Sequence, residues 1–196
     1  QQDFKKIYDT IFSQAAFIEQ ICSPLKQIHV SGFFFMKIFN DGRISDLATH
    51  TEWGKVFFDH LFFEKYDQRD LFDHICIDAS KKISLWEHNQ QNLIWQQGKE
   101  YFQLGNGMSI CKEYDTYKEV YGFYTDSSNH AMNDFYLNHV DLFENFINYF
   151  NNAAKDLIEK NDKNCIVLPD YYKRYITQPS TSLIQNEDIG NFLHHL

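Results

Sequence analysis

Residues 104 to 127 read LGNGMSICKEYDTYKEVYGFYTDS, and this stretch decides the fold. Met108 to Lys112 and Glu119 to Thr125 are short segments of strand-forming composition, joined around a polar turn at Tyr114-Asp115-Thr116. The spacing predicts an antiparallel hairpin. Directly after it, from about Asn129 to Glu159, apolar residues return at steps of three and four, the period of a helix. A hairpin feeding an amphipathic helix needs more strands beside it before it can make a layered domain.

Upstream residues supply them. HVSGFFFMKIF, from His29 to Phe39, is a continuous apolar run short enough for a strand. Asn40-Asp41-Gly42 follows, and these residue types accept positive φ in a tight turn. Arg43 to Thr49 returns as the partner strand. Ahead of this hairpin, Phe4, Ile7, Tyr8, Ile11, Phe12, Ala15, Ile18 and Ile21 recur at helical spacing, and Ser23-Pro24 ends the helix. Trp53 to about Tyr66 reads as a helix apolar over more than half its girdle, a pattern that fits cover on two sides or a cavity. Ile75 to Leu85 holds room for a short strand. Asn89 to Leu104 reads as another helix, with Gly105-Asn106-Gly107 as its stop. The expected fold is α/β, an α-β-α sandwich around an antiparallel sheet of about five strands.

The apolar face of the last helix is wide. Met132, Phe135, His139, Leu142, Phe146, Tyr149 and Ala153 form a heptad-like seam, and Phe143, Ile147, Phe150, Ala154, Leu157 and Ile158 extend it. Either the whole face packs on the sheet, or one edge meets a partner chain. A continuous helix of about 30 residues would span about 45 Å, more than a small sheet covers. That favours a homodimer, with Leu142 and Ile147 as interface candidates.

Composition narrows the function. The 196 residues suffice for one domain plus a tail, and 19 Phe, 12 Tyr and 3 Trp are enough aromatic surface to fill a core and wall a pocket. A net charge of −9 argues against this chain holding nucleic acid by itself. Cys22, Cys76, Cys111 and Cys165 are isolated, as expected of free thiols in a reducing, cytoplasmic setting. No run is long enough to span a bilayer, so no membrane partner is expected. The nine histidines form no HExxH pair, Ser109 has no GxSxG frame, and Gly105-Asn106-Gly107 lacks the phosphate-loop pattern. No catalytic constellation, metal site or cofactor motif emerges, so an enzyme is not expected. After Lys160 a polar break, the CIVLP touch-down, Pro169 and Pro179 read as a connector. The expected division is therefore a domain over 1–160 and a linker over 161–196.

The order of elements, with Trp53, Lys65-Tyr66-Asp67, Gly107-Met108-Ser109-Ile110 and the long last helix, resembles the N-terminal signal-binding domain of LuxR-type transcription regulators, a fold related to PAS and GAF domains. The resemblance covers about residues 4 to 160. It implies a sensory domain that binds a small signal molecule, dimerises and controls a DNA-binding domain placed after the linker. It implies that Trp53 donates its indole N–H to the signal and that Asp67 accepts from the signal. Trp86 falls near the family's aromatic wall and Ser109 near a polar strand residue facing the pocket. Phe57 and Tyr66 join Trp53 as expected pocket residues on the strength of the apolar helix. The chain departs from the family where Ala48-Thr49-His50 stands in place of Asn-Tyr-Pro, and where Gln68 rather than Pro follows Asp67. These departures leave the signal's identity open and set an acyl-homoserine lactone in doubt. The other reading of the same fold is a stand-alone protein-interaction module or effector fragment.

Overall fold

Both hairpins read from the sequence are present, and they lie side by side. A computed structural model of the chain describes residues 13–56, 83–86, 93–168 and 170. The first hairpin joins β1 (Gly32–Phe39) to β2 (Arg43–Ala48), and the second joins β4 (Leu104–Glu113) to β5 (Tyr117–Asp126). With β3 (Ile83–Leu85) and β6 (Ile166–Val167) they form one antiparallel sheet in the order β3-β4-β5-β1-β2-β6. Among the described residues the sheet has six strands where about five were expected. The sixth comes from the CIVLP touch-down, whose Ile166 pairs with Ile44. The packed unit thus runs past the boundary expected at 160, since Ile166 and Leu168 are both buried.

The hairpin turns follow local chemistry. Gly42 sits at φ 92, a conformation that a side chain would strain. The Asp41 carboxylate accepts from the Arg43 backbone N–H at 3.1 Å, and the Asn40 amide donates to the carbonyl of Asp115 in the other turn at 3.0 Å. The two turns are therefore tied to each other.

One sheet face carries the aromatic core. Phe33 and Phe35 of β1 and Tyr121 and Phe123 of β5 point to the same side, as a period of two requires. Against them pack α1 (Ala15–Ile21), α3 (Met132–Asn138) and α4 (Val140–Ala153). Phe143, Ile147 and Phe150 lie three and four residues apart on α4, and all are 0% exposed. Ring centroids of Phe33–Phe150 at 4.7 Å and Phe123–Phe143 at 4.9 Å mark where helix meets sheet.

The structure corrects the continuous helix expected from Asn129 to Glu159. It is three helices: α3, α4 and α5 (Lys155–Asp162). The first break is at His139 (φ −132, ψ 36), where the ring Nδ1 lies 2.9 Å from the Phe135 carbonyl and takes the place of a helical backbone donor. The second is at Ala154 (φ −99, ψ 8). A jointed helix can follow the twisted sheet, so Ile147 is fully inside the core and offers no edge to a partner. Leu142 remains 41% exposed and Tyr149 47% exposed, so these seam positions face outward.

The other helices are present in part. Residues 51–56 are helical at the start of the expected Trp53 helix, and α2 (Leu93–Phe102) lies within the expected 89–104 segment. What ends α2 is Gln103 at φ 55; Gly105-Asn106-Gly107 belongs to β4. The register against β5 shifts between Gly105 and Gly107, with Asn106 as the extra residue of a bulge. Its side-chain amide donates to the Ser127 carbonyl at 3.0 Å, which holds the bulge shut.

Candidate functional site

The opposite sheet face is built differently. Following the register, Ala48, Phe34, Gly122, Ser109 and Ser84 form one row across five strands. Gly32, Tyr124 and Gly107 form the row on one side, and Asp46, Met36, Val120 and Cys111 the row on the other. Trp86, two residues beyond Ser84, extends the strand pairing through its N–H to the Gly107 carbonyl at 2.7 Å.

Three large rings lie over three glycines. A Cβ on Gly107 would meet the Trp86 ring at 2.4 Å, one on Gly32 would meet Tyr124 at 2.1 Å, and one on Gly122 would meet Phe34 at 2.0 Å. Each glycine lets an aromatic ring settle on the backbone of a neighbouring strand. The planes are close to parallel: Trp86 and Tyr124 are 28° apart with centroids at 5.5 Å, and Phe34 and Trp86 are 26° apart at 6.0 Å. The result is a tiled aromatic floor.

Polar groups are set into this floor. The Trp86 indole Nε1–H donates to the Ser109 hydroxyl at 2.8 Å. The Tyr124 hydroxyl lies 2.9 Å from His50 Nδ1, and burial pushes its phenol well above the ordinary range. Burial likewise lowers the His50 imidazole, which favours its neutral form. Thr49 is used structurally: its hydroxyl accepts from the Phe33 N–H at 3.0 Å. Asp46 is 5% exposed, and burial pushes its carboxyl up to about 7. Among the described residues no hydrogen-bond or ion-pair partner reaches that carboxyl, whereas its backbone carbonyl accepts from the Asn161 amide at 3.2 Å.

The residues singled out from sequence divide into three groups. Trp86 and Ser109 are brought together on the floor. Trp53 lies elsewhere, half-buried, with its ring 5.5 Å from Phe102 and against Gly98 of α2. Phe57, Tyr66 and Asp67 lie outside the described residues. The reading from sequence missed Phe34, Tyr124, His50 and Asp46. One signal pointed to part of this set: a glycine stands two positions before Phe34, Ser109 and Tyr124, the same-face spacing of a strand.

The floor suits a flat or apolar molecule, with a hydroxyl, an imidazole and a carboxyl to orient it. Among the described residues no group of His, Cys, Asp and Glu could hold a metal ion, and no helix is long and apolar enough to cross a membrane.

The chain matches no protein-family model and no curated protein. Solved structures with a similar chain course include CepR2 from Burkholderia cenocepacia, described as an N-acylhomoserine lactone dependent LuxR family transcription factor. It is 13% identical, covers 76% of this chain and 92% of its own, and has a TM-score of 0.48. SdiA from Escherichia coli is similar at 11% identity, 98% and 79% coverage and a TM-score of 0.49. SdiA in complex with octanoyl-rac-glycerol is similar at 10% identity, 100% and 78% coverage and a TM-score of 0.49.

Proposed function

We propose that this chain is the sensory domain of a LuxR-type transcription regulator, with its signal molecule seated on the aromatic floor formed by Phe34, Trp86 and Tyr124. The observation that carries this reading is the set of three near-parallel rings lowered onto glycines, with polar groups placed among them. A face meant only for packing gains nothing from a buried carboxyl, which costs free energy unless something pairs with it. In this reading Trp86 and Ser109 contact the signal, and Trp53, Phe57, Tyr66 and Asp67 are its further proposed contacts. The domain acts in the cytoplasm without catalysis or cofactor, as a homodimer, and passes its state through residues beyond the sheet to a DNA-binding domain. Signal binding favours the folded, paired form by mass action.

Native mass spectrometry of the purified chain tests the seat directly. A small molecule retained by wild type and lost in Trp86→Ala supports it. A ligand-free spectrum, with no molecule from a cell extract retained, counts against it.

A further inference from the structure

Asp46 is a charged residue type that the fold does not use. It stands on β2 beside Met36, and the row continues through Val120 and Cys111, none of which offers a strong donor. The Tyr124 hydroxyl is engaged with His50. Lys37 neighbours Met36 but points to the other face, where its ammonium is 2.6 Å from Asp162. A buried carboxyl therefore faces the floor side of the sheet with no donor of its own among the described residues.

Its position relative to the floor is fixed by strand geometry. The Asp46 row is two residues along the strand from the row of Phe34 and Ser109, a separation of about 7 Å. Asp46 stands on β2, while the Phe34 ring lies over Gly122 of β5, two strands away, so a molecule resting on that ring would reach the carboxyl with an extended arm of several atoms.

We propose that Asp46 is the recognition group for a protonated amine carried by the signal molecule, whose aromatic or planar body rests on Phe34. This rests on reading the floor as the ligand seat. An ammonium supplies what the site lacks: several donors and a positive charge, forming charge-assisted hydrogen bonds with a carboxylate. A hydroxyl of the same size supplies one donor and no charge, so it meets the carboxyl in its protonated form and gains no charge-assisted bond. Because burial keeps that carboxyl protonated up to about 7, amine binding below this pH also expels its proton to solvent.

The test is a matched panel on the purified chain: phenethylamine, tryptamine and 4-phenylbutylamine, each beside the alcohol of the same skeleton, by titration calorimetry at pH 6. The expected result is at least a tenfold preference for one or more amines over the matching alcohol. Asp46→Asn should abolish the preference while still binding the alcohol. Repeating the wild-type titration in buffers of different ionisation enthalpy should reveal release of close to one proton with the amine and none with the alcohol. That measurement needs no variant, so it stands if Asp46→Asn fails to fold. Binding of both series without preference or proton release overturns the role of Asp46 and leaves the aromatic seat standing. Binding of neither series overturns the seat and this inference with it.

Discussion

Trp86, just past the end of β3, donates its indole N–H to the hydroxyl of Ser109 on β4, across 2.8 Å. The bond fixes the ring over Gly107 and locks the end of β3 to β4. Trp86→Phe keeps an aromatic ring and deletes the donor, leaving the buried Ser109 hydroxyl short of a partner. Destabilisation of about 1–2 kcal/mol is expected. The double variant with Ser109→Ala should lose less than the sum of the two single changes, as urea unfolding of all three will measure.

The glycines under the rings predict an asymmetry. Gly122→Ala places a methyl where Phe34 already lies, with backbone on the other side, so the ring must tilt away from the sheet. A loss of about 1–3 kcal/mol is expected, with a change in Trp86 emission as its stacked neighbour moves. Gly54→Ala meets nothing within 4 Å and should be neutral or slightly stabilising. Equal effects at the two positions would contradict the tiled floor.

Asp46 gives a pH signature. Its carboxyl rises from 3.8 to about 7 on folding because it is buried. Between those values the folded chain holds a proton that the unfolded chain releases, so this residue costs stability progressively as pH rises through the window. Asp46→Asn removes the cost. The stability advantage of the variant over wild type should grow between pH 4 and pH 8 by up to about 4 kcal/mol. Denaturant titrations at several pH values check it, and a difference independent of pH would mean that the carboxyl titrates normally.

Assembly has a sharp contrast built into one helix. Leu142 is 41% exposed and Ile147 is 0% exposed, five residues apart on α4. If the outward residues Leu142 and Tyr149 form part of the homodimer, Leu142→Glu should give a folded monomer in sedimentation velocity. Ile147→Glu buries a charge in the aromatic core and should abolish folding. A wild-type chain that sediments as a monomer at tens of micromolar removes the dimer.

The fold was readable wherever local chemistry was strong. Asn40-Asp41-Gly42 and Tyr114-Asp115-Thr116 each announced a turn, and the flanking patterns announced four strands. The short pairing of Ile166 with Ile44 was legible only as an apolar touch-down, because two residues carry no periodicity. The joint at His139 was hidden, since the three-and-four pattern continues straight through it while the ring captures a backbone carbonyl. For the candidate site, Trp86 and Ser109 were singled out by resemblance, and the fold brings them together. Phe34 was not, because in Phe33-Phe34-Phe35 both faces of the strand are apolar and alternation gives no sign of which ring turns away from the core. Asp46 carries no signal of its own in the sequence, and its burial shows only in the folded chain.

Strand β2 carries one further consequence. The side chain of Asp46 looks toward the aromatic floor, while its own carbonyl holds Asn161 of α5, and Arg43 and Ile44 on the same strand pair with β6. Leu168 is then pinned by its N–H to the Gly42 carbonyl at 2.9 Å. The strand works like a gear rack meshed on both sides. A slip or tilt of β2 cannot be absorbed locally. It must carry α5, β6 and Leu168 along with it.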